Sequence, residues 1–227
     1  VTNYNEFEDL HTPLADLYYQ AYQVCQVGSG PDSQKELDTF ERLLVEHEQF
    51  LPQEDLRNLY VVYRSFRGRE YKLSGTKNLI PLYLKMYKEH LAKGLLAIDG
   101  KLQASALKLL VNMGVKGEDY NWVREVLNDY PPKKIINTRF PKEFHRLCNA
   151  ELLLAEKKYE EAEAEMVYRV FEDFNYSLSC DILLVQIYCE TQHDFLASRI
   201  RAMELIVRRA KLKDCDKQAY SPLISTV

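Results

Sequence analysis

The segment His47-Glu48-Gln49-Phe50-Leu51 opens like the helix of a zinc protease, in which two histidines four residues apart hold the metal and the glutamate acts as base. Leu51 stands where the second histidine is required, so the pattern offers one ligand and no site. His145 and Cys148 are three residues apart and share a face of any helix that carries them, as two metal ligands would. No third ligand accompanies them, and an ordinary half-buried pair accounts for both. The glycines of VGSGPD (27–32) and LSGTKN (73–78) miss the GxxxxGK[S/T] spacing that wraps phosphates. No serine or cysteine sits at a recognisable nucleophile elbow. Glu160 and Glu163 share a helix face, but within a glutamate run that reads as a solvated surface. These groups point to a non-enzymatic protein with no metal and no cofactor.

The strongest constellation lies in PQEDLRNLYVVYRSFRG (52–68). Leu56, Leu59, Tyr63 and Phe66 follow the helical period and predict a core stripe. Arg57, Tyr60, Arg64 and Arg67 repeat that spacing one position along, placing a phenol among three guanidiniums. Arginine forks onto carboxylate or phosphate, and tyrosine adds flat area at low entropic cost. The competing expectation is that the arginine stems cover the helix flank and pair with the acidic first segment. Lys101, Ser105, Lys108 and Asn112 predict a second polar face on a helix over 101–113. If both are inner helices of consecutive pairs, Arg57, Tyr60, Arg64, Arg67, Lys101 and Lys108 line one groove for a protein or acidic peptide segment.

The elements that must position these residues read as helices throughout. Gly and Pro number eight each, Leu, Ala, Glu, Lys and Tyr dominate, and no segment alternates with period two over a useful length. Thr12 is the expected N-cap and Pro13 the first residue of a helix carrying Leu14, Leu17, Ala21 and Val24. Asp32 or Ser33 caps the next, and Pro52 opens one that ends near Gly68. Further helices are expected near 79–92, 101–113, 119–130, 141–157, 159–173, 177–191 and 194–212. About ten helices in antiparallel pairs result, over 12–50, 53–94, 100–130, 140–173 and 177–212, in a single domain of residues 12–213 between tails 1–11 and 214–227.

Three elbows repeat along the second half. KGEDYNWV (116–123), KKYEEA (157–162) and HDFLAS (193–198) place Tyr120, Tyr159 and Phe195 at intervals of 39 and 36 residues. Ala150, Leu153, Lys157, Tyr159, Glu161 and Ala162 give the order small residue, large apolar, turn residue, aromatic, acid and alanine. This spacing resembles the tetratricopeptide repeat family over 145–212, and more loosely over 100–130. Arg146 stands where that family carries an aromatic. The resemblance implies helical hairpins stacked as an α-α superhelix whose first helices line a concave binding face. Ala150 and Ala162 would let paired helices approach closely.

Charge is banded. Residues 1–56 carry 12 acidic against 2 basic side chains, and residues 57–115 carry 11 basic against 3 acidic, within a formal net charge of −4. Opposed bands can attract one another inside the fold, or an exposed basic band can meet an acidic partner. Five cysteines at 25, 148, 180, 189 and 215 show no CxxC pair, which points to free thiols in a reducing, cytoplasmic setting. No apolar run approaches membrane-spanning length, and the acidic opening VTNYNEFEDL has no signal-peptide pattern. The expectation is a protein-interaction scaffold, with self-association left open. Single-stranded RNA binding through basic and aromatic helix faces is the alternative, and overall acidity weighs against it.

Overall fold

Thr12 and Pro13 begin the first helix as their chemistry dictates. The Thr12 hydroxyl accepts from the Ala15 amide at 3.3 Å, and Pro13 occupies a position where its missing N–H costs nothing. This helix, α1, spans Pro13–Val27. The computed structural model describes residues 12–27, 31–74, 79–166 and 174–209. The expected tails 1–11 and 214–227, the inner parts of the two glycine loops and the end of the expected helix 159–173 lie outside them. The all-helical class holds: ten α-helices occur among the described residues. None of these helices is long and apolar enough to cross a membrane. The chain divides into two compact units after Ile98, where the sequence had suggested one domain.

The first unit holds α1, α2 (Pro31–His47), α3 (Gln53–Ser74) and α4 (Ile80–Ala92). A 3-10 turn, Glu48–Phe50, joins α2 towards α3. Leu17, Ala21 and Val24 of α1, Leu37, Phe40 and Leu44 of α2, and Leu56 and Leu59 of α3 are buried at helical spacing. These three helices pack on one another. Two boundaries differ from expectation. Helix α2 starts at Pro31, ahead of Asp32 and Ser33, and α3 runs past Gly68 to Ser74. An interior glycine weakens a helix by about 1 kcal/mol but does not end it when the flanking residues continue the pattern. Helix α4 ends where Gly94, at φ 71°, closes a left-handed cap: its amide reaches Leu91 O at 3.0 Å and the Leu95 amide reaches His90 O at 2.9 Å.

Three short strands escaped the sequence reading. Ala97–Ile98 (β1) ends the first unit, and Lys101–Gln103 (β2) and Ile135–Ile136 (β3) belong to the second. β2 and β3 run parallel, with Leu102 opposite Ile135 and Gln103 opposite Ile136. Two or three residues are too few for alternation to show. The turn before β2 carries the better signal, since Asp99 and Gly100 both take positive φ, which Asp-Gly favours.

The second unit continues with α5 (Ala104–Lys116), α6 (Tyr120–Asp129), α7 (Pro141–Ala155), α8 (Tyr159–Met166), α9 (Phe174–Glu190) and α10 (Leu196–Arg209). Its elbows are copies of one device. Glu118, Lys157 and Gln192 all adopt positive φ, at 57°, 61° and 51°. The next amide in each, from Asp119, Lys158 and His193, reaches back five residues to Gly114 O, Leu153 O and Tyr188 O at 2.9 Å. Each elbow therefore closes the same cap on the preceding helix. Asp119 adds an N-cap, accepting from the Trp122 amide at 3.2 Å. Helix α5 touches α6 and α7, α7 touches α6, α8 and α9, and α9 touches α8 and α10. That is the order in which successive hairpins stack on their neighbours. Ala150 on α7 and Ala162 on α8 are both fully buried. Arg146, in the place of the aromatic, reaches across to α8 through Glu165 Oε2 at 2.5 Å and Ala164 O at 3.2 Å.

Glycine-to-alanine changes at two helical positions should have opposite signs. A Cβ at Gly68 meets nothing within 4 Å, so Gly68→Ala is expected to stabilise by about 0.5–1 kcal/mol. A Cβ at Gly114 falls 2.3 Å from Val123 Cγ2 and 3.0 Å from Trp122 Cε3, so Gly114→Ala is expected to cost about 1–3 kcal/mol. Urea unfolding followed by circular dichroism reads the first, and fluorescence of Trp122, the single tryptophan, reads the second.

Candidate functional site

Helix α4 meets α3 through long side chains. The Tyr83 hydroxyl donates to the Arg67 carbonyl, Arg64 Nη1 lies 3.5 Å from His90 Nδ1, and Gln53 Nε2 donates to Lys93 O at 3.2 Å. Such a seam leaves room, and a cleft of ≈ 230 Å³ opens between α2, α3 and α4, within the first unit. Its apolar walls are Leu44, Val45, Leu82 and Met86. Val45 and Leu82 stand at the rim, 64% and 55% exposed.

The floor is aromatic and polar. Tyr60 packs edge-on against His90, with ring centroids 4.6 Å apart, and against Tyr63 at 6.2 Å. The Tyr60 hydroxyl donates to Glu48 Oε2 at 3.1 Å, and Lys93 Nζ donates to the same oxygen at 2.6 Å. Burial, then the neighbouring Glu48 carboxylate, push the Tyr60 phenol far above its ordinary value. Burial also pushes Tyr63 up to about 12, with its hydrogen bond to Glu41 adding and that from Arg67 opposing. Burial, reinforced by the Arg64 and Lys93 charges, holds His90 down at about 4. The imidazole is therefore neutral at pH 7. A guanidinium can only donate, so Arg64 at Nδ1 assigns the ring proton to Nε2. The charges around the cleft are paired: Arg67 with Glu41 at 2.7 Å, Lys93 with Glu48 at 2.6 Å, and Lys85 with Glu89 at 3.8 Å.

Of the residues expected to line one groove, Tyr60 and Arg67 line this cleft, whereas Arg57, Arg64, Lys101 and Lys108 are placed elsewhere. Tyr60 is 4% exposed and belongs to the core. Arg67, 13% exposed at its side chain, pairs with Glu41 and, at 3.5 Å, Asp38 of α2, and its Nε donates to Tyr63 Oη at 3.3 Å. Arg64 is half-buried against His90, and Arg57 donates to Ala97 O at 3.4 Å. The stripe thus faces neighbouring helices, because α3 is covered by α1 and α2 on one side and by α4 on the other. Lys101 and Lys108 fall in the second unit. Lys101 is exposed on β2, off the helix that carries Lys108, because α5 begins only at Ala104. Lys108 pairs with Glu151 of α7, and burial lowers its pKa.

Other sequence candidates resolve into structure. His145 Nε2 donates to the Leu127 carbonyl at 3.0 Å, tying α7 to the last turns of α6, while Cys148 beside it is fully buried. Cys180 is buried too, whereas Cys25 and Cys189 are exposed. Cys215 lies outside the described residues. Glu41, Tyr83 and His90 were not singled out from sequence. A signal existed for His90, since Tyr83, Met86, Tyr87 and His90 fall at helical spacing on one face and all are buried.

No protein-family model matches this sequence, and no curated protein and no solved structure matches it.

The buried neutral His90 makes stability depend on pH. Unfolded, the imidazole titrates at its ordinary value of about 6.5; folded, at about 4. Between these values the unfolded chain binds the extra proton, so the contribution is complete above about pH 6.5 and is lost as pH falls towards 4. Urea unfolding from pH 7 to pH 4 should show a loss on the order of a few kcal/mol in the wild type. His90→Gln should flatten that dependence.

Proposed function

We propose that this chain is a non-enzymatic protein-interaction module, and that the cleft of its first unit receives one apolar side chain of a partner protein. The observation that carries the reading is the pairing of charges around the cleft beside an exposed apolar rim. With Arg67, Lys85 and Lys93 each held by a glutamate, no carboxylate or ammonium there is poised to shuttle protons. The apolar walls and the His90 Nε2–H suit a large aliphatic or aromatic anchor with a hydrogen-bond acceptor near it. The repeated elbows and the neighbour-to-neighbour order of α5 to α10 support a scaffold of stacked hairpins like that of the tetratricopeptide family it resembles. Free thiols at Cys25, Cys148 and Cys189 fit a reducing compartment such as the cytoplasm.

Selection of a displayed peptide library on the intact chain tests this. Enriched peptides should share one large apolar residue. Leu82→Glu and Val45→Glu change exposed positions and should leave the fold intact, but each should weaken those peptides by about 10–100-fold, corresponding to the roughly 1.5–3 kcal/mol of a buried apolar side chain. Undiminished binding to both variants, or a preference for single-stranded oligonucleotides over every peptide, would overturn the proposal.

A further inference from the structure

The second unit carries four ammonium groups that have no carboxylate partner among the described residues. β2 and β3 are parallel and in register from Leu102 and Ile135. Lys101 is the first residue of β2, and Lys134 ends the 3-10 turn that leads directly into β3. Lys133 and Lys134 belong to the 3-10 turn Pro132–Lys134, which packs against α7. Lys142 lies in the first turn of that helix. All four side chains are exposed. Lys134 donates to the Asp129 carbonyl at 2.9 Å and sits 5.7 Å above the Tyr130 ring. Among the described residues none of the four makes an ion pair, although Asp99, Asp129 and Glu143 are close in sequence. Elsewhere in this unit Lys108, Arg124, Arg146, Lys158 and Arg199 each hold a carboxylate.

Exposed like charges on neighbouring elements repel one another and raise the local potential, a cost that an anionic partner removes. Lysine supplies point charges on flexible stems and demands no fixed planar geometry. A run of carboxylates on an extended segment meets such a surface. A single-stranded nucleic acid would in addition look for aromatic faces on which to stack. Among the described residues the exposed large apolar side chains of this unit are Leu109, Phe195 and Leu205, none of them in the 129–142 stretch, and the Tyr130 face is occupied by Lys134.

We propose that Lys101, Lys133, Lys134 and Lys142 form a docking edge for an Asp- and Glu-rich segment of a partner protein. This edge lies in the other unit from the cleft and stands whether or not the cleft takes an apolar anchor.

Fluorescence anisotropy with a labelled peptide of about a dozen glutamates tests it, with polyglutamine and oligouridine probes of the same length beside it. The polyglutamate should bind saturably at low salt and polyglutamine should not. Lys133→Glu with Lys142→Glu should weaken polyglutamate by about tenfold or more and reduce the salt dependence. Lys35→Glu with Arg201→Glu, an equal change of net charge at other exposed positions, should leave most of the affinity. Leu82→Glu in the cleft should leave all of it. In the wild-type chain, bound polyglutamate should also shield these four lysines from acylation, read by mass spectrometry, which needs no variant to fold. Equal loss in both charge-reversed pairs, absence of shielding, no polyglutamate binding, or tighter binding of oligouridine would each overturn the assignment.

Discussion

A helix that must reverse within two or three residues needs one residue in the left-handed region to gather up its last carbonyls, and the second unit is built on that constraint. At Glu118, Lys157 and Gln192 the residue carries a Cβ, at a cost of roughly 1 kcal/mol or more each relative to glycine. The caps recover part of this by pairing backbone groups that would otherwise be unsatisfied. All three caps gather up the carbonyls of the preceding helix by the same backbone hydrogen bond. Each first helix lies against the next, as α5 does on α7 and α7 on α9. Gly114 and Ala150 answer the same need from inside the hairpins, where a larger side chain would hold the helices apart. Glu156 shows how an elbow is tied to its neighbour. Burial alone would raise its pKa, but Lys158 and Arg124 of α6 outweigh that and hold it below the usual carboxylate value.

The first unit uses the same cap at Gly94 but a different seam. Where α1, α2 and α3 meet through leucine and phenylalanine, α3 and α4 meet through tyrosines, a histidine and arginines. Buried polar groups need partners, and those partners fix distances between helices that apolar side chains would have closed. The Tyr60 hydroxyl is satisfied at Glu48, and Glu48 is held in turn by Lys93 just past the end of α4. The cleft is thus a consequence of hydrogen-bond geometry in the seam, and its apolar rim is what remains of α2 and α4 beyond that seam.

Much of this was legible from residue types alone. Thr12-Pro13 fixed one helix start, and period 3.6 picked out Leu17, Ala21 and Val24, all buried. The elbow aromatics located the three reversals, although the third has one more residue between its cap and Phe195, so the intervals between caps are 39 and 35 residues. The arginine stripe was misplaced for a physical reason. A stripe one position away from the core stripe is rotated by only about 100°, and α3 has neighbours on both flanks, so both stripes are covered. Sequence shows which residues share a face, but not how many faces a helix must bury. Lys101 was assigned to a helix because a three-residue strand gives no period. Gly68 was taken for a helix end because glycine's preference for caps says nothing of a case where the helix simply continues.

The banded charges end up in contacts across neighbouring helices. Acids of the first segment meet cations of the next at Asp38 and Glu41 with Arg67 and at Glu48 with Lys93, and in the second unit Lys108 meets Glu151 and Arg146 meets Glu165. Half-exposed pairs of this kind contribute from nothing to about 1 kcal/mol, and the more buried ones lose in desolvation much of what they gain in attraction. Their effect is on alignment more than on stability, since a helix shifted by one turn would leave a partly buried charge alone. The same pairing holds at the cleft, where Arg67, Lys85 and Lys93 are paired with Glu41, Glu89 and, beside the lining, Glu48. His90 on the cleft floor is a neutral imidazole, and its proton position is set by Arg64 behind it. Arg64 therefore acts on the cleft from outside it, through the tautomer of His90.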